Sequence, residues 1–421
     1  MEKPYTLNNS VPEFLIRQQL TLDGRTVMTP PVRTDWPAVL LAVGAGVAAA
    51  FQVGKAPIAL PFIRAELGLD LSAASWILSM LALMGAIAGG AMGSVVTRLG
   101  PRRLLPAGLA LIAFGSLAGG LAPSQGFLLA SRVAEGIGLT VVVIAAPALI
   151  TVATSPQDRH TAFGLWACFM PFGMAVSMMA APLLPLIGWR GLWLGMAAFL
   201  ACYALLAWIR LPASTGHGGS SPSRLWHDLL RTVSSPGPVL LAVIFACYTT
   251  AYIALTGFLP TLLIERMGVT PGQAGMMTAA VAAANIVGNL ATGPLLRWGV
   301  PRWVPIILAN ITIAASAIGI FSPATPVPLA YALCLVFSAV GGLLPGCVLG
   351  GAPPYAPDSR LVPVTLGLIM QGSNIGQVTG PVVVGAAVAW WGWSAAAPLL
   401  AGVTLTGAAL TLVLRRVRLP G

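Results

Sequence analysis

Acidic side chains are scarce in this chain, with 11 Asp and Glu against 22 Lys and Arg in 421 residues, and only 8% of residues are charged. Soluble domains carry roughly 25% charged residues, so a water-soluble domain is excluded before any motif is read. Lysine occurs twice, at Lys3 and Lys55. No Gly-x-x-x-x-Gly-Lys-Ser/Thr sequence is present, which speaks against a direct drive by ATP. The five cysteines (168, 202, 247, 334 and 347) are odd in number, fall within apolar runs and lack metal-ligand spacing. Neither a disulfide framework nor a metal site is therefore expected. His160, His217 and His227 lie outside the apolar runs and a single carboxylate lies inside them, too little for an enzyme's acid–base or metal chemistry. No cofactor is expected.

What is present is apolar, 57% of residues being hydrophobic with a mean hydropathy of +0.88. A bilayer core takes about 20 apolar residues per helix. About twelve such runs follow one another, near 37–62, 74–97, 104–122, 127–152, 162–186, 192–210, 238–260, 273–296, 304–321, 328–352, 363–388 and 395–414. The net charge of +11 sits mostly in alternate connections. With both termini cytoplasmic, the inner segments hold 17 Lys and Arg, and the outer connections hold only Arg64, Arg190 and Arg266. That is a positive-inside pattern, so the basicity reports orientation and no nucleic-acid partner is expected. Residues 1–36 read as a polar cytoplasmic tail, with Met28 as an alternative start.

The chain is a repeat. Gly93-Ser-Val-Val-Thr-Arg-Leu-Gly-Pro-Arg-Arg103 reads as a tight basic turn between two helices, and it returns as Gly293-Pro-Leu-Leu-Arg-Trp-Gly-Val-Pro-Arg302. Gly93 and Gly293, Pro101 and Pro301, Arg102 and Arg302, Gly68 and Gly268, and Asp158 and Asp358 are all 200 residues apart. Residues 37–210 and 238–414 are the two expected six-helix bundles, joined by a linker over 211–237 and followed by a short cytoplasmic tail, 415–421. Within the linker, Leu225, Trp226, Leu229 and Leu230 oppose Arg224, His227, Asp228 and Arg231, a pattern suited to a short surface helix. Ser72 and Thr270 are expected helix caps, Thr270 with Pro271 at the first helical position. Gly188-Trp189 and Gly392-Trp393 precede the sixth helix of each half and read as interfacial aromatic anchors.

With these features the chain resembles the major facilitator superfamily of secondary transporters over residues 36–415. The family's loop signature is matched at Gly93, Arg98, Gly100, Arg102 and Arg103, but Thr97 stands at its acidic position. Its fourth-helix Arg-x-x-x-Gly-x-Gly is present as Arg132, Gly136 and Gly138. The resemblance implies an all-α membrane fold of 12 transmembrane helices in two pseudo-symmetric bundles. It also implies alternating access and a cytoplasmic gate at Gly93, Arg98, Gly100, Arg102, Arg297 and Arg302, weaker or differently built here for want of the carboxylate. The glycine-rich fifth-helix signature of the family's drug–proton antiporters, ending in Gly-Pro, is absent.

An ionisable group inside a membrane span is a functional candidate by default. Lys55 lies in the first apolar run with Gln52 on the same face. Arg132 and Glu135, one turn apart on the fourth, share a face, and Glu135 is the one acidic residue placed inside a span. The resemblance, which lines the cavity with helices one, four, seven and ten, brings Lys55 toward that pair. Two cations and one carboxylate suit a small anion or organic acid, with Glu135 as a proton-coupling site. The second half offers Tyr248, Tyr252, Asn285, Gln371 and Asn374 as polar substrate contacts. The expected protein is a bacterial inner-membrane secondary transporter, monomeric, with a small-molecule substrate, the lipid bilayer and protons as partners. The alternatives are a drug/proton antiporter and a transport-inactive membrane sensor.

Overall fold

The first long helix shows how this chain builds its elements. In the computed structural model, α1 runs from Trp36 to Leu67 behind Asp35, whose carboxylate accepts the Ala38 N–H at 3.1 Å. It stops at Gly68, which adopts the left-handed conformation (φ 64°) that costs glycine little. The structure describes residues 21–22, 25–26, 34–155, 157–211, 222–358 and 361–417, without side chains at 21–22, 25–26, 88, 90–98, 160 and 222–226. Apart from a two-residue antiparallel ladder (Thr21–Leu22 with Arg25–Thr26), the regular structure is helical.

After α1 come α2 (Leu71–Leu99), α3 (Pro101–Gly120), α4 (Gln125–Ala153), α5 (Arg159–Ala167), α6 (Phe169–Met178) and α7 (Leu184–Arg210). Then follow α8 (Pro222–Val233), α9 (Pro236–Met267), α10 (Pro271–Arg297) and α11 (Trp303–Phe321). The chain ends with α12 (Val327–Gly341), α13 (Leu343–Leu349), α14 (Ala352–Tyr355), α15 (Val362–Trp391) and α16 (Ala396–Leu414). Among the described residues, nine helical stretches are long and apolar enough to cross a membrane.

Several expected boundaries need correction. The fifth run, 162–186, is broken after Ala167 and again after Met178, and the tenth, 328–352, after Gly341 and Leu349. Each break falls four residues before a proline: Pro171, Pro182, Pro345 and Pro353. A proline cannot donate to the carbonyl four residues back, and its ring crowds that carbonyl. The basic turn is shorter than expected, since Gly93–Leu99 continues α2 and only Gly100 (φ 83°) turns. Asp70, not Ser72, caps α2, accepting the Ala73 N–H at 2.6 Å. Thr270 caps α10 as expected, in a reciprocal bond with Gln273. Arg64, Glu66, Glu265 and Arg266, expected in connections, lie in the last turns of α1 and α9. Trp189 is buried and Trp393 partly buried within the protein.

The backbone repeats. Among the described residues, the six positive-φ glycines form three pairs, Gly68 with Gly268, Gly100 with Gly299, and Gly188 with Gly392. Both α1 and α9 have 32 residues. One apolar core takes residues 56–78 and 174–193 together with residues of α9–α16, so it joins both repeats around the face that holds Gly68. A second core, from Ala38 to Leu211, stays within the first repeat near the opposite face. The two repeats meet where α2 lies along α15, α6 along α10, and α1 along α9.

Candidate functional site

The cation–carboxylate set forms by the approach of four helices. Small residues permit it: a Cβ on Gly115 of α3 would stand 2.8 Å from Glu135 Cγ, and one on Gly119 would stand 2.7 Å from Trp193 Cδ1. In the space this leaves, Lys55 of α1 donates to Glu135 Oε1 of α4 at 2.6 Å. Arg132 Nη1 donates to Glu135 Oε2 at 2.5 Å, and Arg132 Nε holds the Ile77 carbonyl of α2 at 3.0 Å. Lys55 and Glu135 are 0% exposed and Arg132 is 1% exposed. Such burial is tolerable only with partners, because an unpaired interior charge costs several kcal/mol.

Two further residues complete the arrangement, and neither stood out in the sequence. Ser116 of α3 accepts from Lys55 at 2.6 Å and donates to the Trp193 carbonyl at 3.2 Å. Trp193 of α7 lays its ring 4.3 Å from Lys55 Nζ, a cation–π contact. The hints were slight, a serine between two close-packing glycines of α3 and a tryptophan one turn after Trp189. Gln52 faces the same group from α1, with its Oε1 3.5 Å from Ser116 Oγ. Its Nε2 is buried without a hydrogen-bond partner among the described residues. Chemically, the set is one carboxylate shared by two cations in an apolar surround, closed to solvent in this state.

The second-half candidates lie in two other places. Tyr248 and Tyr252 of α9 stack 5.6 Å apart. Asn285 of α10 donates to the Tyr248 hydroxyl and to the Ser338 carbonyl, both at 3.0 Å. Gln371 of α15 instead donates across the seam to the Ala86 carbonyl of α2 at 2.8 Å. Asn374, one turn on, packs on Gly85 and donates to Met370. Among the described residues no hydrogen bond joins the lysine cluster to the tyrosine–asparagine group.

Of the expected gate, Gly93 and Arg98 fall among the α2 residues whose side chains lie outside the described set. Gly100 makes the turn, Arg102 is partly exposed and Arg297 is exposed. Arg302 folds its guanidinium against Gly350 at the C-terminal end of α13, where helix carbonyls favour a cation.

The superfamily model described as Major Facilitator Superfamily matches residues 41–361. The chain belongs to the major facilitator superfamily. Its function as a membrane transporter follows, and the fold agrees. This superfamily member aligns with a bacterial homologue of the human lysosomal transporter Spinster, crystallised in an inward-facing, occupied conformation. That alignment has a TM-score of 0.77 and 16% identity, covering 93% of this chain and 98% of that one. In sequence it is 26% identical over 338 residues to the 3-(3-hydroxy-phenyl)propionate transporter of Escherichia coli (strain K12), covering 78% of this chain and 81% of that one. It is also 35% identical over 160 residues to the puromycin resistance protein pur8 of Streptomyces alboniger, but that match covers only 37% of this chain and 31% of the relative.

Proposed function

We propose that this superfamily member is a twelve-span, proton-coupled carrier of a small organic acid that works by alternating access between two six-helix bundles, 37–210 and 238–414. The observation that carries the reading is the buried Lys55–Glu135–Arg132 set, with its one excess positive charge. An anion entering the central space relieves that excess, and a proton on Glu135 releases Lys55 to meet the anion. The broad similarity to a phenylpropionate transporter supports a carboxylate substrate. The positive-inside count supports placing both termini in the cytoplasm of a bacterial inner membrane.

Drug export is the second reading, favoured by the similarity of part of the chain to a puromycin resistance protein. Flux into proteoliposomes under an imposed pH gradient separates the two. Wild-type protein is expected to move phenylpropionate-type acids, and Lys55→Ala to lose that uptake while keeping a monodisperse fold. Transport of lipophilic cations that Lys55→Ala leaves untouched overturns the organic-acid reading. No flux of either class favours the sensor.

A further inference from the structure

On the face opposite Gly68, the start of α11 lies beside the end of α16, and the two helices pack along each other. Arg415, the first residue past α16, lays its guanidinium 4.5 Å from the centre of the Trp303 ring on α11. That stacking holds a long cationic side chain in one place while its charge stays at the surface. Arg415 and Arg416 are both exposed, and among the described residues neither forms an ion pair. A cation is favoured at the C-terminal carbonyls of a helix, but one arginine is enough for that, and Arg416 is a second. Trp298, in the connection that leads to α11, leaves its indole 78% exposed, as tryptophans do at the depth of lipid headgroups.

An apolar stripe leads away from the arginines. Leu405, Ala409, Leu412 and Arg416 follow one another at intervals of four, three and four residues, which puts them on one face of α16 as it runs out. All four are exposed. Leu308 and Ile311 of α11 are exposed as well. From Leu405 to Arg415 a helix rises about 15 Å, half the thickness of a bilayer's hydrocarbon core. Charge therefore stands at headgroup depth and apolar surface at acyl-chain depth. The first repeat is built otherwise: α7 ends in one arginine, Arg210, and Arg103 stands 200 residues before Trp303, in place of the ring.

We propose that Trp303, Arg415 and Arg416 form a site for one anionic phospholipid, with its phosphodiester on the two guanidiniums and its acyl chains along the exposed apolar residues of α11 and α16. The planar donor fork of arginine matches phosphate oxygens, and the ring keeps one fork in place before the lipid arrives. A soluble phosphate would use the charges and leave the apolar stripe bare, whereas a lipid uses both. The positive-inside count puts the site at the cytoplasmic leaflet, where anionic lipids attract basic segments. The site stands apart from the Lys55–Glu135–Arg132 set and does not depend on what the protein carries.

The test is the melting temperature of the purified full-length chain in a neutral detergent, titrated with phosphatidylglycerol, with phosphatidylcholine of the same acyl chains, or with glycerol phosphate. A ligand of the folded state raises the melting temperature with its concentration. Phosphatidylglycerol is expected to act at a lower mole fraction than phosphatidylcholine, and glycerol phosphate not at all. Arg415→Gln and Arg416→Gln are each expected to raise the half-saturating mole fraction of phosphatidylglycerol about fivefold, the weight of one arginine at an anionic membrane surface. Trp303→Leu is expected to raise it about twofold to fivefold with both charges in place. Equal action of the two lipids overturns the site, because apolar surface alone then accounts for binding. Stabilisation by glycerol phosphate as strong as by the lipid overturns the lipid assignment. An undiminished preference for phosphatidylglycerol in the double variant Arg415→Gln with Arg416→Gln overturns the location. Arg416→Gln carries the test alone if Arg415→Gln disturbs the fold, because Arg416 is exposed and stacks on no ring.

Discussion

Glu135 sits fully buried between two cations, so the residues of this cluster are unequal in what they support. Replacing Glu135 by Gln leaves Lys55 and Arg132 as two buried positive charges, and removing one partner of a buried pair costs about 3–5 kcal/mol. Replacing Lys55 by Ala leaves Arg132 and Glu135 as a neutral pair at 2.5 Å, which costs less. In detergent, the melting temperature of Glu135→Gln is therefore expected to fall well below that of Lys55→Ala. Equal melting temperatures would mean that the charges do not share one carboxylate as the geometry has it. Ser116 and Trp193 matter for the same reason, since they occupy the remaining valences and face of the Lys55 ammonium.

At the scale of the element, α3 and α4 approach closely because glycines line the contact, and that approach closes the cluster. A side chain at Gly115 meets the Glu135 backbone nitrogen at 2.9 Å and the Ser131 carbonyl at 3.0 Å, atoms that a rotamer change cannot move away. Gly115→Val is expected to cost about 1–3 kcal/mol as overpacking and to reduce transport with it. A melting curve and a flux assay on the same preparation check both. The broken helices follow a simple rule, each ending at the residue whose carbonyl a later proline leaves unpaired. Those prolines were in plain view, but an apolar run through them reads as one span by hydropathy alone.

At the scale of the whole molecule, the two repeats touch along α1–α9, α2–α15 and α6–α10. Near the Gly68 face the fit is tight: a Cβ on Gly275 would lie 3.3 Å from Ile58 Cγ2 and 3.4 Å from the Met178 carbonyl, with Ala181 closer still. Gly275→Leu is expected to wedge the repeats apart there. It should raise the rate at which a cysteine replacing the buried Thr261 is labelled by a charged maleimide. Labelling no faster than in the parent protein would place the moving seam elsewhere.

Sequence by itself determined the helical membrane class, the 200-residue repeat and the family motifs, because hydropathy, turn chemistry and spacing are local properties of the chain. It also singled out Lys55, Arg132 and Glu135, since a charge in an apolar run is conspicuous. Only the tertiary structure decided that Lys55 reaches Glu135 across 80 residues, that Ser116 and Trp193 enclose the pair, and that Glu66 and Glu265 belong to helices and hold tryptophans. The physical reason is the uniformity of the spans. A helix apolar on every side has no stripe to fix its rotation, so which face meets which neighbour is decided by close packing between glycines and by the pairing of buried charge.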